Sequence, residues 1–164
     1  MVATTLKELL ATLPQTGTVA WLGLRPGKRE PMLTPERVEL RVGEGLLGDR
    51  YQGRGNRGVT LIQAEHLAAL GSLLGRDGPV DPALLRRNIV VRGINLLALK
   101  NCRFQVGEAL LETTGLCHPC SRMEAALGPG GYNAMRGHGG ITARVVEGGS
   151  VRLGDQVRMV APPG

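Results

Sequence analysis

At 164 residues the chain has the length of one domain and can bury a core without disulfide or metal staples. Apolar residues make up 42% of it but aromatic ones only 2%, so Leu, Val, Ile and Ala must fill that core. Trp21, Tyr51, Phe104 and Tyr132 are too few rings for the stacking platforms of single-stranded nucleic-acid binders. The formal net charge of +6 rests mainly on arginine, whose planar guanidinium forks favour carboxylate and phosphate partners.

In chain order, residues 4–13 read as a short helix, capped by Thr4 or Thr5, with Leu6, Leu9, Leu10 and Leu13 on one face, and Pro14 ends it. Residues 18–24 have strand composition and close on the turn signal Pro26-Gly27, and residues 37–42 alternate Val38, Leu40 and Val42 with charges. Residues 43–58 carry six glycines with little periodicity and read as a long loop, a length that in compact domains goes with function or mobility. A strand over 59–62, a helix over 63–74 and a short helix begun by Asp81-Pro82 follow. Strands are expected over 88–91, 102–106 and 108–114, then a turn or two of helix over 121–127 before the glycine-rich residues 128–131. Short strands over 141–146, 150–153 and 156–160 complete the chain. Many short strands with interposed turns predict a mainly β fold, a barrel with short helical insertions, in a single domain spanning 1–164.

Three cysteines, Cys102, Cys117 and Cys120, cannot all pair, no charged segment followed by an apolar one opens the chain, and no apolar run approaches the roughly 18 residues that cross a bilayer. A reduced, cytoplasmic protein without membrane contact is expected. Cys120 follows a predicted strand and precedes a predicted helix, where the positive end of the helix dipole favours thiolate. The segment Leu116-Cys117-His118-Pro119-Cys120 admits several chemistries. Structural zinc needs a second close pair, which Cys102, His66, His118 and His138 do not supply. A dithiol couple has the right spacing but not its usual strand-helix alternation. A single thiolate could ligate a soft metal or carry sulfane sulfur, and two buried inert cysteines are the plain alternative.

From Gly45 onward the sequence resembles the MOSC family, the domain named after the C-terminal part of molybdenum cofactor sulfurase. The resemblance runs in order through Gly45-Leu46-Leu47-Gly48-Asp49-Arg50, Val59-Thr60-Leu61-Ile62, Arg87-Asn88-Ile89-Val90-Val91, Arg103-Phe104-Gln105-Val106-Gly107, Pro119-Cys120 and Gly154-Asp155, about three quarters of the chain. It implies a MOSC-type β-barrel and makes Cys120, rather than Cys117, the catalytic cysteine, either ligating molybdenum or bearing sulfur; a Cys117-Cys120 disulfide stays open.

The resemblance also implies the pterin form of the molybdenum cofactor, which is anionic. The segment Gly53-Arg54-Gly55-Asn56-Arg57-Gly58 offers amides and the Arg54 and Arg57 guanidinium groups to a phosphate, and Arg86, Arg87 and Asn88 form a second polar cluster. Asp49 could orient an arginine or a ligand, or serve as a turn residue capping backbone amides. The function expected is reduction of N-hydroxylated small molecules, with electrons from a separate reductase because the chain carries no flavin or iron-sulfur motif. The alternative is a persulfide carrier served by a cysteine desulfurase, and a basic nucleic-acid-binding module stands behind both. Pyridoxal phosphate is not expected: the desulfurase domain of full-length sulfurases is absent, and Lys7, Lys28 and Lys100 lie in no pocket-like context.

Overall fold

A computed structural model describes residues 4–54 and 58–162. Among the described residues ten strands alternate with short helices: α1 (Leu6–Ala11), β1 (Gly17–Leu22), β2 (Arg37–Arg41), β3 (Gly45–Leu46), β4 (Val59–Gln63), α2 (Ala64–Leu73), α3 (Pro82–Leu85) and β5 (Ile89–Arg92). A 3-10 turn (Leu96–Leu99) leads into β6 (Arg103–Val106), β7 (Ala109–Leu116), α4 (Ser121–Leu127), α5 (Gly131–Met135), β8 (Ile141–Glu147), β9 (Gly149–Arg152) and β10 (Gln156–Ala161). Seven strands close a barrel in the order β1-β10-β6-β7-β8-β4-β5, and β3-β2-β9 form a small separate sheet. Closure pairs the strand edges with one another, as the run of short strands leads one to expect. No helix among the described residues is long and apolar enough to cross a membrane.

The strands divide their side chains by the two-residue period. In β8, Ile141, Ala143 and Val145 join the main core while Thr142 and Arg144 do not; Val38, Leu40, Leu46 and Val151 of the small sheet enter that same core. The β4–β5 pair is parallel, with Leu61 opposite Ile89 and Ile62 opposite Val90, whereas the other barrel pairs are antiparallel. A parallel pair needs a crossover, and α2 and α3 provide it. They cover the outer face of the pair, so that Ile62 and Val90 belong to a second core with Leu67, Leu70, Leu85 and Met123 while Leu61, Ile89 and Val91 face the first. All five residues of β4 are buried, Thr60 and Gln63 included, as expected of a strand covered on both faces.

Two local expectations are revised and one helix is added. The helix at the N-terminal end forms, with Thr5 and Glu8 in a reciprocal capping box, but Leu6, Leu9 and Leu10 are exposed, and it is Leu13 beyond it that packs on the core. Six residues held by end capping do not reach the barrel wall. The glycine-rich loop over 43–58 contains β3, whose Leu46 pairs with Leu40. Residues 131–135 form α5, where Gly131 lies so close to Leu127 and the Met123 carbonyl that a Cβ would clash.

On the outer barrel wall, Glu112 of β7 accepts hydrogen bonds from Arg103 Nε of β6 (2.9 Å) and from Arg144 Nη2 (2.9 Å) and Nε (3.1 Å) of β8. Hydrogen bonds from Arg103 and then Arg144 hold the Glu112 carboxyl below its ordinary value of 4.5. A depressed carboxylate stabilises the fold above its unfolded pKa, and that contribution disappears as pH falls through the folded one. Glu112→Gln should therefore lower stability at neutral pH by less than about 1 kcal/mol, this being a partly solvated site. The difference from wild type should close in acid, which urea denaturation across a pH series measures.

Candidate functional site

The turn that follows β3 delivers Asp49 into the protein, where Arg25 meets it. Oδ1 of Asp49 accepts from the Arg25 backbone N–H (2.8 Å) and Nε (3.0 Å), and Oδ2 accepts from Arg25 Nη2 (2.9 Å) and from the Tyr51 N–H (3.1 Å). Asn88, just ahead of β5 and fully buried, extends the network. Its Oδ1 accepts from Arg25 Nη2 (2.9 Å) and from the Thr60 N–H and hydroxyl (3.1 Å each), and its Nδ2 donates to the Gly23 carbonyl (3.0 Å) and Asp49 Oδ1 (3.2 Å). Asp49 thus both orients an arginine and caps a turn. Asp49 and Asn88 come together with their polar atoms engaged by protein partners, not aimed at open space.

Outside this network lies a cationic surface. The Tyr51 ring stacks on the Arg25 guanidinium at 4.4 Å, with Arg50 at 4.9 Å. Arg86, in a left-handed conformation at the end of α3, donates to the Gly27 and Glu30 carbonyls. Burial lowers its pKa, and the like charges of Arg25 and Arg50 lower it further. Arg54 is exposed, and Arg57, with Gly55 and Asn56 of the expected phosphate cradle, lies outside the described residues.

The cysteine segment leaves the end of β7 and is gripped by residues 137–140. The Cys117 N–H donates to the Gly140 carbonyl (2.9 Å). A Cβ at Gly139 would stand 2.0 Å from the Cys117 carbonyl oxygen, and one at Gly140 would stand 1.9 Å from the Leu61 carbonyl oxygen, at a φ of +85°. Only glycine allows this approach. Cys120 caps α4 and is exposed, while Cys117 is half-buried; both are free thiols. Cys102 is a core residue whose thiol pKa is raised by burial, and it plays no part here.

Arg87 lies beneath the segment. It is 7% exposed, donating Nε to the Gly139 carbonyl (3.0 Å) and Nη1 to the Leu85 carbonyl (2.9 Å). No carboxylate pairs with it among the described residues. Burial lowers its pKa; the Cys117 and Cys120 sulfurs act in the opposite direction, and Arg25 adds to the lowering. The guanidinium is thus within electrostatic reach of both cysteine sulfurs and of Arg25.

On another side of the segment is a cavity of about 320 Å³, lined by Gln63, His66, Cys117, His118 and His138 among others. Cys120 is not part of its wall. His66 and His138 meet edge to face at 4.9 Å between ring centroids, and burial first, then His138, lowers the His66 pKa against the pull of Glu65. No group of three His, Cys, Asp or Glu side chains among the described residues could hold a metal, so the zinc alternative finds no support in the geometry. Sequence reasoning missed Arg25, whose partners are distant in the chain, and the meeting of His66 with His138. The only local signal of the latter was the glycine flanking of His138.

A seven-stranded barrel with a cysteine segment gripped between glycines and a buried arginine defines the class to which the comparisons also lead. The chain belongs to the MOSC domain family, whose model matches residues 48–158. Among solved structures it is similar to the YuaD protein of Bacillus subtilis, at 19% identity and a TM-score of 0.77 over 89% of this chain and 97% of that one. It is also similar to YiiM of Geobacillus stearothermophilus (18% identity, TM-score 0.67, 88% of this chain and 75% of that one) and to YiiM of Escherichia coli (19%, 0.68, 88% and 70%). At these identities the likeness is one of fold. No curated protein matches the chain.

Asp49→Ala would leave the Arg25 guanidinium buried without its counter-charge and should destabilise the protein by about 3 to 5 kcal/mol. In a double-mutant cycle, Arg25→Ala should recover part of that loss, measured by urea denaturation. Gly140→Ala should cost about 3 kcal/mol or more by the same measurement, since a backbone clash adds to an unfavourable φ. Gly137→Ala, at a φ of +82° with nothing near its Cβ, should cost only about 1 kcal/mol.

Proposed function

We propose that this MOSC protein binds the pterin form of the molybdenum cofactor, with the Cys120 thiolate as a ligand to the metal, and reduces small N-hydroxylated compounds. The observation that carries this reading is Arg87, a buried cation without a carboxylate partner among the described residues, held behind Gly139 within electrostatic reach of two cysteine sulfurs. A buried charge calls for a compensating one, and an anionic ligand held at the segment would supply it. The donor set fits the group in kind: an accessible thiol for a soft metal, and arginines for the phosphate.

In this reading Cys120 would hold the metal and Arg87 would set the electrostatic environment of the cysteine segment, with Arg54 and Arg57 available to the phosphate. Arg25, Asp49 and Asn88 would act from behind, fixing the backbone at the entry to β5 so that Arg87 keeps its place. When bound, the cofactor supplies a redox-active metal for reductive cleavage of an N–O bond, with electrons from a separate reductase. The glycine grip on Cys117 would keep the start of the segment rigid while Cys120 stays open to solvent and substrate.

The exposure of Cys120 also favours a second reading, a persulfide carrier reached by a cysteine desulfurase, because a surface thiol needs no metal to accept sulfur. One paired experiment separates the two. Protein from cofactor-replete anaerobic expression should contain molybdenum and pterin, and Cys120→Ser should lose most of the molybdenum. Absence of molybdenum from wild type, together with a one-sulfur gain in intact mass after desulfurase treatment that Cys120→Ser lacks, would replace the first reading by the second.

A further inference from the structure

The cavity beside the cysteine segment has a wall whose chemistry is specific. Leu96, Leu97, Leu116 and Ile141 make much of it apolar, and no Asp, Glu, Lys or Arg lines it among the described residues. Arg87 stands behind Gly139 with two of its nitrogens donating to the Gly139 and Leu85 carbonyls. At about 320 Å³ the space is of the size that takes a small molecule.

Its polar atoms can be assigned. His138 Nδ1 lies 2.9 Å from the Ala134 carbonyl oxygen, which can only accept, so Nδ1 carries the proton and the lone pair of the neutral ring is on Nε2. His66 Nδ1 is shut off from solvent with no hydrogen-bond partner among the described residues. A neutral imidazole carries its proton on either nitrogen, so His66 Nε2 can donate to a ligand or accept from it. Both rings line the cavity, and with His138 Nδ1 bonded and His66 Nδ1 shut off from solvent the Nε2 edge of each is left to meet a ligand, as an acceptor from His138 and as a donor or acceptor from His66. Gln63 supports them: its Oε1 accepts from the Leu96 N–H (2.8 Å), leaving Nε2 without a protein acceptor among the described residues.

We infer that this cavity is a binding site for a small, uncharged, planar molecule that presents an acceptor and a donor side by side, as amides, lactams and many N-heterocycles do, read by the Nε2 atoms of His66 and His138. The inference does not depend on the metal reading, since Cys120 is not in the wall. An uncharged wall disfavours a desolvated ion, and the two Nε2 atoms disfavour a hydrocarbon, which would leave both unsatisfied.

Benzamide, benzoate and toluene, titrated into the isotope-labelled full chain and followed by the imidazole nitrogen resonances, provide the test. Saturable benzamide binding should move the His66 and His138 signals, with benzoate and toluene at least about tenfold weaker. Replacing either histidine, His66→Phe or His138→Phe, should weaken benzamide by about tenfold in protein whose amide spectrum shows it folded. Cys120→Ser should bind benzamide as wild type does, so loss of molybdenum in that variant and loss of this site are distinguishable. No saturation by benzamide, equal affinity for benzoate or toluene, or binding indifferent to both histidines would overturn the inference. The wild-type comparison of the three probes stands even where a variant fails to fold.

Discussion

The parallel pairing of β4 with β5 is the constraint on which the rest of the molecule depends. Two adjacent parallel strands cannot be joined by a tight turn, so the chain must leave the barrel and return, and α2 and α3 are that excursion. Their packing against Ile62 and Val90 creates the second core, which α4 and α5 share through Met123, Leu127 and Met135. The same excursion places His66 on α2 at one side of the cysteine segment and Arg87 at the entry of β5 beneath it. Site and second core are consequences of one topological choice.

The entry to β5 is then fixed by polar rather than apolar means. Arg25, Asp49, Thr60 and Asn88 come from four separated stretches of chain, and each of their hydrogen bonds closes on another member or on the backbone. A buried ion pair of this sort gives little net stability over apolar packing, but breaking one half is expensive, so it specifies one arrangement strongly. Here it sets the position of Asn88 and hence of Arg87, its immediate neighbour, by hydrogen-bond geometry that a sliding apolar contact would not impose.

Much of the barrel and of the small sheet was legible in the sequence because alternation has a period of two and turns have characteristic residues. Strands 37–41, 103–106 and 141–147 carry that signal plainly, and Asp81-Pro82 marks α3 by its cap. What stayed hidden has physical causes. β3 is two residues within a glycine-rich stretch and exists through its pairing with β2, a tertiary event. α5 begins at a glycine required by contact with α4, which local propensity counts against a helix. The apolar face at residues 6–10 follows helical spacing, but spacing reports only a face, not a surface to cover it. At the site, Asp49 was legible as a turn residue and a possible partner for an arginine, whereas the arginine itself, Arg25, was not, because no local pattern encodes a contact between residues so far apart.

The cysteine segment shows how spacing in sequence can mislead about equivalence in space. Cys117 and Cys120 look like members of one motif, yet the strand end and the glycine grip hold the first half-buried at a cavity wall, while the second opens α4 at the surface. Pro119 and the start of α4 turn the chain between them. With Arg87 behind Gly139 and His66 and His138 in the cavity wall, the segment lies between a charged environment and an uncharged one, which in the proposed readings take an anion and a neutral molecule. A site that holds a charged group on one side and a neutral one on the other needs such a partition, because a shared wall of mixed charge would bind either ligand in the place of the other.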